Sequence, residues 1–209
     1  MARWQSGARE RLQQAAMSLF VEHGFEGVTV AQIAAAAGLT ERTFFRHFAD
    51  KREVLFPGHD EFERAFLTAL GETPDGETPD GEAPDGETPD GEAPDGDPMA
   101  LVTAALAGAG DFFPEERRTW SRTRNAILRT HPGFLERELL KMSSLAAALT
   151  RALEDRGADP IAAALAAETG VTVFRTAFTT WIAEGETRTL PEIQEEVLAR
   201  LHGLLATRR

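Results

Sequence analysis

Two helix starts and one helix stop fall within the stretch TVAQIAAAAGLTERTFFRHF, residues 29–48, and no other part of the chain leaves so few folds open. Thr29, followed three residues later by Gln32, has the form of a capping box, in which side chain and backbone satisfy two N–H groups that a helix start leaves without partners. Val30, Ile33, Ala34 and Ala37 then recur at helical spacing and form a narrow apolar stripe of mostly small side chains, which permits close approach of another helix. Gly38 is placed to take the left-handed conformation that ends a helix, with Leu39 positioned for the apolar contact that accompanies such a stop. Thr40 is a second N-cap, so a new helix begins almost at once, at the spacing of a helix-turn-helix. On this second helix Phe44 and Phe48 lie one turn apart and share a buried face. Arg42, Thr43, Arg46 and His47 are thereby directed outward as hydrogen-bond donors.

Thr29, Ile33, Ala34, Ala37, Gly38, Leu39, Thr40, Thr43, Phe45, His47, Phe48 and Lys51 together resemble the DNA-binding motif of the tetracycline-repressor-like (TetR) regulators. That resemblance is dense over roughly 9–56 and rests beyond it on helical architecture and helix order. It implies an all-α chain with an N-terminal three-helix DNA-binding domain over 1–56 and a C-terminal helical ligand-binding and dimerisation domain over 57–209. The DNA-binding residues it implies are Thr29, Thr40, Glu41, Arg42, Thr43, Phe45, Arg46, His47 and Lys51. Thr29, Thr40 and Lys51 sit at helix starts, where phosphates are held, while Arg42 and Thr43 are suited to read base edges. Phe45 departs from the family, which usually carries a tyrosine whose hydroxyl reaches a phosphate. This chain contains no tyrosine. The function implied is that of a homodimeric repressor that binds a near-palindromic operator in double-stranded DNA and is released by a small-molecule effector. The alternative is a ligand-independent DNA-binding regulator whose helical core serves dimerisation or protein docking.

A net charge of −12 argues against nucleic acid until the charge is located. Residues 71–97 carry eleven carboxylates and no Lys or Arg, so they account for all but one unit of that charge. Residues 1–52 hold seven basic and five acidic side chains, a balance that allows local attraction to phosphate. The acidic stretch is five copies of a pentad, GE(T/A)PD, with proline and glycine in each and no large apolar residue. Such a segment cannot offset its ordering entropy, and 71–98 reads as a disordered acidic linker interrupting the C-terminal domain.

Elsewhere the pattern is helical. Leu12, Ala15, Ala16, Leu19 and Phe20 mark an amphipathic first helix closed at Gly24-Phe25, and Asp50 with Glu53 has the form of another capping box. Pro57-Gly58 breaks the pattern before 59–70, and Pro98, Pro114, Pro132, Pro160 and Pro191 sit at helix starts that predict spans of 99–113, 115–130, 133–156, 161–184 and 190–207. Cysteine is absent, which excludes disulfides and thiolate metal sites, and no apolar run reads as long enough to span a bilayer. A cytoplasmic protein with no membrane association is expected.

No nucleophile with its base, no phosphate loop and no cofactor motif stands out, so a non-enzyme without cofactor or metal is expected. The only ligand-like spacing, His59 with Glu63, reads as a solvated helix face. Arg124 shares a helical face with Trp120, Ile127 and Leu128 and needs a partner, either an internal Glu such as Glu136 or Glu168, or an effector anion. Phe112, Phe113, Trp120, Arg124 and Phe134 are the candidates for an effector pocket by composition. The apolar stripes of the last two helices supply Phe174, Phe178, Trp181, Val197, Leu201 and Leu204 as candidates for a dimer interface.

Overall fold

The computed structural model describes residues 3–56, 59–71, 97–110 and 112–206, and every regular element among them is helical. In chain order these are α1 (Arg3–His23), α2 (Val30–Ala36), α3 (Glu41–His47), α4 (His59–Ala69), α5 (Pro98–Gly110), α6 (Arg118–Leu128), α7 (Pro132–Glu154), α8 (Pro160–Trp181) and α9 (Leu190–Ala206), with single 3-10 turns at Glu53–Leu55 and Glu115–Arg117. The predicted C-terminal helices are all present with ends shifted by a few residues, and Pro98, Pro132 and Pro160 each open one. The linker expected over 71–98 falls on 72–96 for all but its ends, and the break at Pro57-Gly58 on 57–58; both stretches lie outside the described residues, whereas Pro98, placed in the linker, opens α5.

The chain divides into two compact units, Met1–His59 with Thr119–Glu138, and Asp60–Arg118 with Leu139–Arg209. The division expected near residue 56 therefore moves only slightly, but the first unit also recruits 119–138, from α6 and the start of α7. Its core joins Leu12, Phe20, Phe25, Ile33, Phe44 and Phe48 to Leu55, Ile127, Leu128 and Phe134. Three short helices alone bury too little apolar surface, and the added segment supplies the missing side of the core.

In the second unit α5 and α9 both pack on α8. Gly170 of α8 meets Val102 of α5, and a Cβ at this position would overlap Val102 Cγ1. Changing Gly170 to Ala is expected to destabilise the second unit by about 1–3 kcal/mol through overpacking, measured as faster hydrogen exchange of α5 and α8 amides. Arg156, just beyond α7, closes α4 by donating to Leu70 O at 2.5 Å.

One sequence expectation is corrected by α8. This helix is long and apolar enough by length and composition to cross a bilayer, contrary to the reading that no such run exists. Ala163, Ala167, Val173, Phe174, Ala177 and Trp181 are instead buried in the core of the second unit, which accounts for the apolar composition.

Candidate nucleic-acid interface

Helices α2 and α3 are built by their local sequence. Thr29 Oγ1 accepts from Gln32 N at 3.2 Å while Thr29 N donates to Gln32 Oε1 at 2.8 Å, the reciprocal pair of a capping box. Gly38 closes α2 at φ 67°, and Leu39 N reaches back to Ala34 O at 2.8 Å, so the turn uses a conformation that a side chain would strain. Thr40 Oγ1 then accepts from Thr43 N at 3.2 Å and starts α3. Phe44 is fully buried and Phe48 nearly so, their rings 5.2 Å apart. This anchors one face of α3 in the core and turns Glu41, Arg42, Phe45 and Arg46 to the surface, with Phe45 55% exposed. Thr43 is half-buried, and its hydroxyl lies 3.0 Å from that of Thr40.

Two of the residues expected to face DNA sit differently. The Lys51 ammonium donates to Phe25 O at 2.9 Å and to Val28 O at 2.8 Å and lies 3.9 Å from the centre of the Phe25 ring. Those carbonyls belong to the connection between α1 and α2, so Lys51 pins that loop from within, whereas a phosphate ligand would turn its ammonium to solvent. His47 is half-buried, and its Nε2 is buried with no hydrogen-bond partner. Burial, and then the neighbouring cations Arg46 and Arg9, push its pKa below the ordinary histidine value. The proton on His47 is thereby disfavoured, and the outward positive charge of α3 comes from Arg42 and Arg46.

The segment 119–138 holds the end of the motif. Arg137 bridges Asp50 at 3.1 Å and Glu53, and Arg124 donates to Leu55 O at 2.5 Å and pairs with Glu138 at 3.3 Å. Both guanidinium groups also approach the Phe56 ring, at 5.9 and 5.1 Å. Burial lowers the pKa of Arg124, and Glu138 restores part of the loss. The internal partner of Arg124 is thus Glu138, where the sequence offers Glu136 or Glu168 as examples, or an effector anion. Asp50 caps its turn as predicted, accepting from Arg52 N at 2.7 Å and Glu53 N at 2.9 Å. Burial alone would raise its carboxyl, but those N–H groups and Arg137 outweigh burial and hold it below the usual range. The Glu53 side chain turns to Arg137 instead of completing a capping box, and the element that follows is one 3-10 turn.

Residues 12–56 match the model of the bacterial regulatory proteins, tetR family. Over that N-terminal segment the chain is similar to this family. It is 46% identical over 66 residues to the HTH-type transcriptional regulator TcmR of Streptomyces glaucescens, a match covering 32% of this chain and 29% of that protein. Over most of its length it resembles the transcriptional regulator FadR from Bacillus subtilis, solved with stearoyl-CoA, at 15% identity and a TM-score of 0.57, covering 92% of this chain and 96% of that one. The TetR-family repressor FadR of Thermus thermophilus, solved with lauroyl-CoA, is similar at 19% identity and a TM-score of 0.51, covering 93% of each chain. At these identities the likeness extends to the fold alone.

The TetR-type C-terminal candidates are redistributed by packing. Phe112 and Phe113 belong to the second unit, where they stack against Phe62, while Trp120, Arg124 and Phe134 belong to the first. Phe134 is fully buried with its ring 4.5 Å from Phe25, and Arg124 is committed as above, so these two support the core of the first unit. Of the dimer candidates, Phe174 and Trp181 are buried in their own unit's core, and Phe178, Val197 and Leu201 are partly buried against it. Leu204 alone of that set is fully on the surface, 74% exposed. Leu205 beside it, and Ile161 and Leu165 on α8, are exposed as well. No group of three or more His, Cys, Asp or Glu among the described residues is placed to hold a metal, and the His59 side chain lies outside them.

Proposed function

We propose that the chain is a transcriptional regulator that docks α3 in the major groove of operator DNA. The observation that carries this reading is the capped α2–α3 pair, with Phe44 holding α3 to the core and Arg42 and Arg46 on its exposed side. Arginine takes guanine O6 and N7 together, and the Thr43 methyl suits a thymine methyl, so Arg42 and Thr43 read bases. The hydroxyls and backbone N–H groups at Thr29 and Thr40 hold phosphates and set the register. Selection from a randomised duplex library tests this directly. The wild type is expected to enrich a near-palindrome with half-sites about 34 Å apart or a multiple of that, and Arg42→Ala to relax preference at one base pair per half-site by about 1–3 kcal/mol. An unselective wild type, or an Arg42→Ala variant with undiminished selectivity, overturns the reading.

A palindromic site calls for a two-fold assembly. We place its contact on the outer faces of α8 and α9, where Ile161, Leu165, Leu204 and Leu205 remain exposed. The 182–189 connection returns α9 along α8, so the start of α8 and the end of α9 share one end of the pair. Sedimentation at micromolar concentration is expected to show a dimer for the wild type and a monomer for Leu204→Glu with Leu205→Glu. The exposed pair is the test position and the candidate Trp181 is not, because a charge at buried Trp181 would unfold the unit whatever its assembly. In this reading the chain acts as a repressor released by a small molecule, as the acyl-CoA complexes of the two FadR proteins suggest for effectors in this fold.

A further inference from the structure

Gln194 is a neutral polar side chain in the interior of the second unit, and neither end of its amide is met. It is 2% exposed, sits one turn into α9 beside fully buried Ile193, and both its Nε2 and Oε1 are buried without a hydrogen-bond partner. Arg118 is the unit's other buried polar side chain among the described residues. Its two terminal nitrogens donate to Glu186 O and Arg188 O, its charge is met by Glu115 at 2.7 Å, and its Nε is buried and unpartnered. Buried polar groups are nearly always hydrogen-bonded, and an amide missing both bonds is a group shaped for something to be bound.

Arg118 borders an aromatic wall, and Gln194 lies beside Gly110, three residues before Phe113 of that wall. Gln194 Oε1 lies 3.6 Å from where a Gly110 Cβ would stand, and Gly110 O accepts from Phe113 N at 3.0 Å. The Phe113 ring lies 5.2 Å from Phe178 and 6.0 Å from Trp181, and the Arg118 guanidinium stacks over Trp181 at 5.2 Å. Phe112, Phe113 and Phe178 are only partly buried, so part of the wall reaches solvent. Residues 112–117 carry no α-helix and only one 3-10 turn, which leaves the Phe112 and Phe113 backbone less constrained than the helices around it.

We propose that this wall binds a small aromatic ligand bearing a neutral carboxamide-type head, which pairs with the Gln194 amide. The site deepens, and rests on, the effector-responsive reading given above. A primary amide offers a donor and an acceptor side by side, so its complement is a group with an acceptor and a donor in the same arrangement, such as a carboxamide. A carboxylate has no donor for Oε1 and sets negative charge against it, and a hydrocarbon leaves both ends unmet. The ligand ring packs edge-on or offset against Phe113, Phe178 and Trp181, and Arg118 Nε supplies one more donor to a carbonyl.

The probe is benzamide, with toluene and benzoate as partners of matched size, titrated into the full-length protein while the melting temperature is followed. Benzamide is expected to raise the melting temperature of the wild type more than either partner. In Gln194→Leu its affinity is expected to fall about tenfold or more, while the small effect of toluene persists and the ligand-free melting temperature is equal or higher. Equal stabilisation by toluene, an undiminished response in Gln194→Leu, or no response of the wild type at millimolar benzamide overturns the site. Should the leucine variant fail to fold, the side-chain amide resonance of Gln194 in the wild type must shift on adding benzamide, and an unmoved resonance overturns it. The operator complex is titrated in parallel. Binding to free protein without release of DNA upholds the site and removes the effector reading, whereas absence of binding removes the site and leaves that reading standing.

Discussion

Replacing Lys51 with Met is expected to destabilise the first unit by about 3 kcal/mol and to leave the salt dependence of operator binding unchanged. Its ammonium makes two hydrogen bonds to carbonyls and one cation–π contact, all to the loop 25–28. Hydrogen bonds from a charged donor contribute about 1.5–3 kcal/mol each, and Met retains most of the alkyl packing, so the loss is set by the two abandoned carbonyls. Hydrogen exchange of α1 to α3 amides measures it locally, because a chain of two units has no single unfolding free energy. A phosphate ligand behaves otherwise. Its removal costs little stability and lowers the slope of log affinity against log salt by about 0.9. A reduced slope with unchanged exchange would return Lys51 to the DNA surface.

The second large effect is Phe44→Ala, expected to cost about 3–5 kcal/mol in the first unit. Phe44 is fully buried and touches both Phe45 and Phe48 with its ring. α3 has only seven residues, far too few to hold a helix by its own hydrogen bonds, so its geometry depends on this anchor. Operator affinity is therefore expected to vanish at temperatures where the far-UV circular dichroism of the second unit's helices persists. Retained operator binding with a cost below about 1 kcal/mol would mean that Phe48 alone seats the helix, since a partial anchor loses only part of the transfer and cavity terms.

The helix-turn-helix was legible because each of its signals is local. A capping box, a left-handed glycine and a second cap act over three or four residues, and all of them appear where the pattern placed them. The same holds for the prolines that open α5, α7 and α8. What failed were statements about partners. Glu53 was placed in a capping box by spacing, but a guanidinium 84 residues away competes for it and wins. Arg124 was recognised as needing a partner, yet Glu136, Glu138 and Glu168 are alike in sequence, and only the fold brings Glu138 to 3.3 Å.

Burial divides in the same way. The stripe through Phe174, Phe178 and Trp181 announced a helix with an apolar face, and α8 has one. Which atoms that face meets is a matter of tertiary packing: Phe174 meets Phe62, Phe66 and Phe113, and Trp181 meets Phe113 and Arg118, while Ile161 of α8 and Leu204 of α9 stay uncovered. The sequence by itself determined the elements, their order and the two caps that aim α3, because those depend on torsional preference and hydrogen bonds within a few residues. Only the tertiary structure decided that 119–138 completes the core of the first unit, that Lys51 faces inward and that Gln194 is buried without a partner. These rest on contacts between residues far apart in the chain, whose loop-closure entropy must be offset by the whole core before any one of them forms.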